Sequence, residues 1–381
     1  MENPKIRFKG FTKDWEQRKL GDEAEEILAG GDIDKEKAVD DGVYPIYANA
    51  LTNDGIVGYY DDYYRVKAPA VTVTGRGEVG RARARMIDFT PVVRLLAVRS
   101  NHDCYFLENA INNHKVVVES TGVPQLTVPQ LSSYDICFPK DIVEEKKIGT
   151  YFNQLDRLIT LHQRKCEQTK KLKKYMLQKM FPQNGAKVPE IRFDGFTYDW
   201  EQRKFSELYA RSSEKNDGSI GMDKNITVAT MQFKNDVKVS TTEYLKTYYT
   251  FKLGDIAFEG HQSKEFRYGR FVENDIGNGI VSHIFAVFRP IQEYDLYFWK
   301  YAINNETLMQ RILARSTKAS TMMHDLVTND FLNETFLVPS VKEQKQIGAF
   351  LNKLDNLITL HQRKCDELKK MKKYMLQNMF I

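Results

Sequence analysis

Leu158–Cys166 reads LITLHQRKC, and the same nine letters return 199 positions later at Leu357–Cys365. The wider segments Ile148–Phe181 and Ile347–Phe380 also share the tail KKYMLQ. Apolar residues recur through the first segment at helical spacing, and neither Gly nor Pro interrupts it after Gly149. The repeat therefore predicts one long α-helix in each half of the chain.

Each predicted helix has a start signal. Asp141 is followed three residues later by Glu144, and Ser340 by Glu343, which is the form of a capping box. We expect the first helix to span Ile142–Phe181 and the second to run from its own start to the end of the chain. About 40 residues make each helix about 60 Å long.

Heptad spacing places a seam along each helix. A single amphipathic helix of this length would be poorly stabilised alone, so the two are expected to pair. Repeats tend to be arranged around a pseudo-twofold axis, which makes the pair an antiparallel coiled coil. The seam histidines are more typical of register-setting positions than of catalysis. The predicted seam and scaffold residues are Leu155, Ile159, His162, Thr169 and Met176, and in the second copy Leu354, Ile358, His361, Leu368 and Met375.

A second repeat opens each half of the chain. Pro4–Lys19 reads PKIRFKGFTKDWEQRK, and Pro189–Lys204 reads PEIRFDGFTYDWEQRK. Ends that stay alike beside a diverged middle indicate a common partner bound twice. Aromatic and Arg side chains here are suited to anchoring a partner, although packing of the tryptophans against the helix of their own repeat is the favoured interpretation. The candidate anchors are Trp15, Arg18, Trp200 and Arg203.

The stretches between each opening segment and the helix that follows it, about residues 20–140 and 205–339, are called the middles. They keep scattered sequence matches whose offset changes along the chain. The pair Tyr63–Tyr64 returns as Tyr248–Tyr249 at an offset of 185, whereas Ala110–Asn113 returns as Ala302–Asn305 at an offset of 192. An offset that climbs in small steps indicates loop insertions within one shared fold. The two middles are therefore predicted to be the same domain with different surface loops.

The middles are also predicted to contain strands. Ala70–Thr74 and Ile280–Phe288 are β-branched and aromatic runs bounded by Gly, Asn or Pro. The predicted fold class is α+β, with two pseudo-symmetric mixed α/β globular domains separated by two long α-helices that pair as an antiparallel coiled coil. The expected boundaries are 1–141 for the first domain, 142–182 for the first helix, 183–339 for the second domain and 340–381 for the second helix.

The composition describes packed domains. The apolar share is 42 %, with 22 Phe and 20 Tyr, as in globular chains. No apolar run approaches the roughly 18–20 residues that span a bilayer, and the first residues lack the apolar region of a signal peptide. Four cysteines without CxxC spacing predict reduced thiols in a cytoplasmic protein. A net charge of +5 permits nucleic-acid binding through a local basic patch without requiring it.

Gly75–Gly80 spells GxGxxG, but the segment does not fit dinucleotide binding. A Rossmann fingerprint needs a helix here and an acidic residue about 20 residues further on. Arginines follow instead, the next strand-like run ends in Arg99, and the matching place in the second half reads GHQSKE at Gly260–Glu265. A Gly-rich turn that presents arginines fits contact with phosphates or base edges better.

Basic residues interleaved with aromatics recur in the matching loop of the second half. Two equivalent but different basic loops are what two DNA-reading surfaces require, and ordinary solvated turns are the alternative. Ser120–Gln125 and Arg315–Ser320 are short polar loops, each before a predicted helix start, and are further candidates. The candidate DNA-binding residues are Arg76, Arg81, Arg83, Arg85, Gln125, Lys264, Arg267, Arg270, Arg315 and Lys318.

The chain lacks recognisable catalytic and metal-binding motifs. It has no P-loop, no HxxxH or HExxH spacing, no convincing Ser-His-Asp or Cys-His set, and no NPPY or DPPY tetrapeptide. It is therefore predicted to be a reader and a scaffold that binds no metal or cofactor of its own. Two alternatives stay open: a DNA-modifying or cleaving enzyme with its own active site, and a scaffold whose middles bind other proteins.

The order, number and length of these parts resemble the specificity (S) subunit of a type I restriction–modification system over the whole chain. The resemblance rests on WEQRK opening each half, two divergent domains, and helices carrying LITLHQRKC and KKYMLQ. It implies two target-recognition domains, each reading one half of an asymmetric double-stranded DNA target, and no catalysis by this chain. It also implies that the helices space the domains and dock two modification (M) subunits, joined by restriction (R) subunits. S-adenosylmethionine, ATP and Mg are expected on those partners.

Overall fold

The computed structural model describes residues 3–50, 52–115, 124–183, 185–234, 241–320 and 323–381. Contacts divide the chain into two compact units. Unit 1 comprises Met1–Arg164 and His361–Ile381, and unit 2 comprises Lys165–Leu360. Each unit therefore contains one globular domain and a stretch of both long helices. The boundaries predicted from the sequence instead treat each long helix as a separate segment.

Unit 1 is a mixed α/β domain built on antiparallel strands. Its main sheet has the order β2-β8-β5-β6, β4-β3-β7 form a smaller sheet, and β1 pairs with β9. The strands are β1 (Glu16–Lys19), β2 (Ala24–Ala29), β3 (Tyr44–Tyr47), β4 (Ile56–Tyr60), β5 (Ala70–Thr74), β6 (Ala82–Arg85), β7 (Thr90–Pro91), β8 (Leu95–Ser100) and β9 (Asp135–Phe138). The helices are α1 (Leu20–Glu23), α2 (Cys104–Asn113), α3 (Val128–Ser132) and the first part of α4 (Ile142–Lys179).

Unit 2 repeats this frame with different connections. Its main sheet has the order β11-β18-β15-β16, and β10 pairs with β21 as β1 does with β9. The strands are β10 (Glu201–Lys204), β11 (Tyr209–Ser212), β12 (Ile226–Thr227), β13 (Gln232–Phe233), β14 (Tyr249–Phe251), β15 (Ile256–Glu259), β16 (Arg270–Glu273), β17 (Gly279–Val281), β18 (Ala286–Pro290), β19 (Thr317–Ala319), β20 (His324–Leu326) and β21 (Thr335–Val338). The helices are α5 (Phe205–Leu208), α6 (Thr242–Leu245), α7 (Leu296–Ile303), α8 (Glu306–Ser316), α9 (Thr328–Asn333) and the first part of α10 (Val341–Met379).

The two predicted strands have different outcomes. Ala70–Thr74 is β5, whose five residues are all buried between sheet neighbours and α2. Ile280–Phe288 is not one strand, because a turn over Ser282–Phe285 separates β17 from β18. The two pieces join different sheets, so the run of β-branched residues could not reveal the break.

The helix after the central strand is capped and docked in the same way in both units. Asp103 accepts hydrogen bonds from first-turn amides of α2, and Asp295 accepts one in α7. Asn112 exchanges hydrogen bonds of 2.9 and 3.0 Å with the backbone of Ala82, and Asn304 donates one of 3.1 Å to the matching strand. These contacts explain why Ala-Ile-Asn-Asn recurs in both halves.

The long helices begin where the sequence predicts them and end two residues earlier than predicted, so that they span Ile142–Lys179 and Val341–Met379. One glycine on each lets it approach the capped helix of its unit. A Cβ added at Gly149 would lie 1.9 Å from Oδ1 of Asp103, and one at Gly348 would lie 2.2 Å from the matching carboxylate. Any other residue at these positions would push the helices apart.

The predicted capping boxes form only in part. The Asp141 carboxylate accepts the Val143 amide at 2.9 Å, and the Ser340 hydroxyl accepts the Glu343 amide at 3.4 Å. The glutamates that would reach back to the cap, Glu144 and Glu343, bind arginines of the opening segments instead. A guanidinium that donates two hydrogen bonds is the stronger partner for a buried carboxylate, which accounts for the difference.

Candidate nucleic-acid interface

The Gly-rich loop of unit 1, residues 75–81, joins β5 to β6, so a strand follows where a dinucleotide fold needs a helix. Thr74 clamps this loop, because its hydroxyl accepts the Arg81 amide at 2.9 Å and its carbonyl accepts the Gly80 amide at 2.7 Å. Arg76 and Arg81 are exposed, and Arg81 makes only a 3.4 Å contact with exposed Glu78 among described residues. Both guanidiniums are accessible to a ligand.

The other two predicted arginines of this hairpin are held within the unit. Arg83 pairs with Asp54 at 2.8 Å, yet its side chain stays 56 % exposed. Arg85 is 7 % exposed: it donates to Asp54 at 2.8 Å and to the Thr72 hydroxyl at 3.0 Å, and lies 3.6 Å from the Tyr47 ring centroid. The turn carrying Asp54 covers Arg85. Arg85 is therefore a structural residue, and the contact with DNA that was predicted for it does not fit this buried environment.

The matching loop of unit 2 divides in the same way. Lys264 and Arg267 are exposed, and the Ser263 hydroxyl orders the loop by accepting the Phe266 amide at 3.0 Å. Arg270, by contrast, donates to Glu259 at 2.8 Å and to a backbone carbonyl at 2.7 Å. Arg270 thus ties β16 to neighbouring segments, while Lys264 and Arg267 keep accessible charges.

The first predicted polar loop, Ser120–Gln125, is described only from 124 onward, and residues 120–123 lie outside the described part of the chain. Gln125 is exposed, and the next amide, that of Leu126, donates to the Gly75 carbonyl at 2.9 Å. The structure therefore brings Gln125 beside the Gly-rich loop, a proximity that separation by 50 positions does not suggest.

The second predicted polar loop, Arg315–Ser320, is not a loop. Arg315 lies in the last turn of α8, where its Nε donates to Glu334 at 2.7 Å, and Lys318 lies exposed in β19. The prediction missed that α8 continues this far and runs directly into a hairpin. The hairpin still adjoins the basic loop of unit 2, because the His324 amide donates to the Gly260 carbonyl at 2.8 Å.

The predicted anchor tryptophans are buried, at 2 % exposure for Trp15 and 3 % for Trp200. Trp15 packs edge-on against Phe380 at the end of α10, with ring centroids 6.4 Å apart, and Trp200 packs against Phe181 just after α4, at 6.1 Å. Each tryptophan thus packs against a phenylalanine that follows the long helix of the other repeat. Both tryptophans pack in the cores of their units and are inaccessible to a partner.

The neighbouring arginines of the opening segments stay at the surface in ion pairs. Arg18 is 50 % exposed and binds Glu16 and Glu23 at 2.5 and 2.7 Å. Arg203 binds Glu207 at 3.2 Å and Gln292 at 2.8 Å. These arginines remain accessible where the tryptophans do not.

The repeated opening segments are held by a buried ion pair that sequence reasoning missed. Arg7 binds Glu144 at the start of α4 through two hydrogen bonds of 2.5 and 2.8 Å, and Arg192 binds Glu343 at 2.7 and 2.8 Å. Both carboxylates are at most 1 % exposed. The sequence does carry a sign of this ion pair, because the arginine and the glutamate are each identical in the two repeats. This pairing gives a structural reason for that identity.

The predicted seam is formed within both units, and we call it the inner seam. In unit 1, His162 and His361 meet with their Nδ1 atoms 3.0 Å apart, so one ring donates and the other accepts. In unit 2, the thiol of Cys166 lies 3.9 Å from the carbonyl of Ile358. Leu155, Ile159 and Leu354 are buried, whereas Ile358 and the histidines are half-buried. Seam residues therefore stabilise the helix pair itself.

Two equivalent ion pairs show the direction of the pairing. Lys372 binds Asp156 at 2.7 Å in unit 1, and Lys173 binds Asp355 at 2.6 and 2.8 Å in unit 2. In unit 1, residue 372 of α10 contacts residue 156 of α4, and residue 361 contacts residue 162, so the residue numbers decrease along one helix as they increase along the other. The helix segments are antiparallel, as predicted.

A second heptad series lies on each long helix outside the inner seam, and we call it the outer seam. Leu161 and its equivalent Leu360 are both 43 % exposed, and Tyr175 and Tyr374 are 47 % and 57 % exposed. Apolar side chains at such spacing normally face another helix. The outer-seam positions are Leu158, Leu161, Lys165, Gln168, Leu172 and Tyr175 on α4, and Leu357, Leu360, Lys364, Glu367, Met371 and Tyr374 on α10.

One histidine of unit 1 is held between two carboxylates. Nδ1 of His102 lies 2.8 Å from Glu145, and Nε2 lies 3.0 Å from Glu23. Burial lowers the pKa of His102, but these two hydrogen bonds outweigh it and leave the pKa raised above its usual value. Unit 2 has Gln344 in place of Glu145, so this charged contact belongs to unit 1 alone among the described residues.

Two kinds of feature are absent from the described residues. No cluster of three or more His, Cys, Asp or Glu side chains suited to a metal ion occurs among them. Over the same residues, no helix combines the length and the apolar character that crossing a bilayer requires.

Two curated relatives share sequence with this chain. Two provisionally assigned type I specificity subunits of Mycoplasma pneumoniae, S.MpnORF89P and S.MpnORF507P, are 29 % identical over 161 residues and 33 % identical over 129 residues. These alignments cover 41 % and 32 % of this chain but only 47 % and 34 % of the relatives, so the chain spans half or less of the curated relatives it matches.

A solved structure agrees over the full length. The S subunit of a type I restriction–modification system from M. genitalium matches 100 % of this chain and 99 % of its own, with a TM-score of 0.68 at 14 % identity. At this identity the likeness is one of fold alone. The model of the type I restriction modification DNA specificity domain matches twice, at residues 12–171 and 198–370. This chain therefore belongs to the type I restriction–modification DNA specificity family.

Proposed function

We propose that this chain is the non-catalytic DNA-specificity subunit of a type I restriction–modification complex, acting in the cytoplasm. Each unit reads one half of an asymmetric bipartite duplex, and the long helices set the distance between the halves. Two M subunits and the R subunits assemble on it, and S-adenosylmethionine, ATP and Mg bind to those partners rather than to this chain.

The observation that carries this proposal is one frame used twice with different exposed loops. Both units keep the four-stranded sheet, the capped helix and the buried Arg–Glu pair. The loops differ: unit 1 exposes Arg76 and Arg81, and unit 2 exposes Lys264 and Arg267. Accessible cations suit contact with phosphates and base edges, and different loops on one frame suit different half-sites.

The outer seam supports docking of two identical partners. Its positions on α4 recur on α10 at an offset of 199, so a partner that binds one helix finds equivalent side chains on the other. An apolar helix face of an M subunit would complete a coiled-coil contact there. The substitutions Leu161→Asp and Leu360→Asp should each remove one M subunit from the complex. Gln163→Asp, at an exposed position off the outer seam, is the matched control, and equal loss with the control would rule out docking there.

Modularity tests the one-half-per-unit assignment. Methylated positions are mapped in DNA from cells expressing this chain with its M partner, before and after residues 20–140 are replaced by the span of a relative. One half-site should change while the other half and the spacer stay the same. A swap that altered both halves would refute the assignment.

The helices are tested as a ruler by lengthening one of them. Half-site centres are expected about 34–36 Å apart, one turn of DNA. Four residues inserted near Gln168 add about 6 Å to α4 and rotate the remainder of the helix by about 40° beyond one helical turn. The preferred spacer should lengthen or recognition should fail. An unchanged spacer with full activity would show that the helices do not set the distance.

Single Ala substitutions test the basic loops. In the complex with M, at least one of Arg76→Ala and Arg81→Ala, and at least one of Lys264→Ala and Arg267→Ala, should weaken cognate binding tenfold or more. Arg85→Ala should act through stability instead, because its guanidinium is buried. If no loop substitution weakens binding, the reading surface lies outside these loops.

A further inference from the structure

The turn between β7 and β8 holds an arginine in an unfavourable backbone conformation. The Leu95 amide donates to the Val92 carbonyl at 3.0 Å and closes the turn, and Arg94 near its tip has φ of +72°. That left-handed conformation is strained for a residue with a Cβ, whereas Gly adopts it freely and Asn tolerates it. The fold alone therefore favours Gly at this position. An exposed Arg occupies this position despite the strain, which makes its side chain a candidate for function.

Backbone contacts fix this turn against the Gly-rich loop. The Gly75 amide donates to the Arg94 carbonyl at 3.1 Å and to Oδ1 of Asn49 at 2.9 Å, while Nδ2 of Asn49 donates to the Val93 carbonyl at 3.2 Å. A Cβ at Gly75 would lie 2.3 Å from the Arg94 carbonyl oxygen, so only glycine permits this approach. The tip is rigid in its backbone and exposed in its side chains.

Arg94 lies beside Arg76, and the two differ from other arginines of the sheet. Both line one shallow recess with Asn49 and Pro124. Arg83 and Arg99 have carboxylate partners, whereas neither Arg76 nor Arg94 has a hydrogen-bond or ion-pair partner for its guanidinium within the described residues. Two adjacent guanidiniums that have no partner among the described residues, on turns held by backbone hydrogen bonds, suit an electronegative ligand, and the floor of the DNA major groove at guanine offers two acceptors per base.

Unit 2 has a hydrogen-bonded turn at the equivalent place, although Ile284 in it does not share the left-handed backbone of Arg94. The Phe285 amide donates to the Ser282 carbonyl at 3.1 Å, and the following strand β18 pairs with β15 as β8 pairs with β5. The residue equivalent to Arg94 is Ile284, which is 73 % exposed. A branched apolar side chain with this exposure buries little of its surface within its own unit. In the major groove it would meet the methyl group of thymine.

We propose that these equivalent turns, Val92–Leu95 and Ser282–Phe285, read bases. Arg94, supported by Arg76, reads a guanine in one half-site, and Ile284 contacts a thymine methyl group in the other. This inference rests on the proposed function, because it assigns one half-site to each unit. It adds residues that the basic loops alone do not identify.

The test uses the full chain in complex with its M subunits. Cognate duplexes, defined by mapping methylation in cells expressing the unaltered chain, are compared with duplexes mismatched at each position across a salt series. Arg94→Ala should lower cognate affinity at least tenfold and erase the preference at one G·C pair in one half-site. Ile284→Ala should erase the preference at one A·T pair in the other half. The controls are Arg99→Ala, at a half-buried arginine paired with Glu25, and Ile291→Ala, at an exposed position just after β18; both should leave the two preferences unchanged.

Arg94→Gly separates loss of reading from loss of folding. Glycine relieves the strain at φ of +72°, so the unfolding temperature should stay or rise while the base preference is lost as with Arg94→Ala. Unchanged preference in both Arg94 variants would overturn the proposal. Equal weakening on all duplexes, with the salt slope reduced by about one, would identify a phosphate contact and also overturn it. If the unaltered complex shows no sequence preference at all, the proposed function fails instead.

Discussion

The buried pair between Arg7 and Glu144 offers a direct measure of what holds the repeated opening segments. The Glu144 side chain is 0 % exposed and receives hydrogen bonds of 2.5 and 2.8 Å from one guanidinium. Arg7→Met keeps most of the apolar stem but leaves a buried carboxylate without its cation. We expect this change to lower the free energy of unfolding of unit 1 by about 3–5 kcal/mol. Glu144→Gln leaves a neutral amide and should cost less, about 1–3 kcal/mol.

The second repeat supplies a matched control. Glu343 accepts the indole Nε1 of Trp200 at 3.3 Å in addition to Arg192, whereas the Nε1 of Trp15 has no partner among the described residues. Arg192→Met should therefore cost less than Arg7→Met, because one donor to the carboxylate remains.

The assay for this pair is denaturant unfolding of the full chain, combined with hydrogen exchange in each opening segment. Exchange assigns the loss to one unit, because only the segment of the altered repeat should lose protection. A double replacement of Arg7 and Glu144 by apolar residues should recover most of the loss. A cost below about 1 kcal/mol for Arg7→Met would refute the reasoning, since surface pairs have that value.

Packing and the pKa shifts give three further expected outcomes. Gly149→Ala would place Cβ 1.9 Å from Oδ1 of Asp103 and break the cap of α2; a loss of about 2 kcal/mol or more is expected, and an unchanged melting temperature would contradict it. Burial lowers the pKa of His102, but its two carboxylate partners raise it by more, so the pKa in the folded chain lies above the usual value. The stabilisation of the folded state by protonated His102 is therefore fully present below about pH 6.5 and is lost as the pH rises through the folded pKa. Unfolding from pH 5.5 to 8.5 should show this loss, and His102→Gln should abolish it. Burial, with the charge of Asp275, raises the pKa of Glu273 well above its usual value, so Glu273→Gln should raise the melting temperature at pH 8; a decrease would contradict this.

Local patterns determined the helices and the shared frame of the two middles. Ile142–Lys179 could be predicted because helical periodicity, breakers and a cap residue are properties of neighbouring positions. The second copy confirmed the first by repetition. The climbing offset between matched residues identified one fold with different loops, since loop insertions leave the packed frame in place.

Tertiary structure alone decided how individual side chains are used. Arg76 and Arg85 look alike in the sequence, yet one is exposed and the other is buried against Asp54, because a distant turn covers only the second. The break within Ile280–Phe288 and the strained backbone of Arg94 likewise depend on contacts between segments far apart in the chain. Periodicity reports which face of an element is apolar, but the partner that covers a given charge is set by long-range packing.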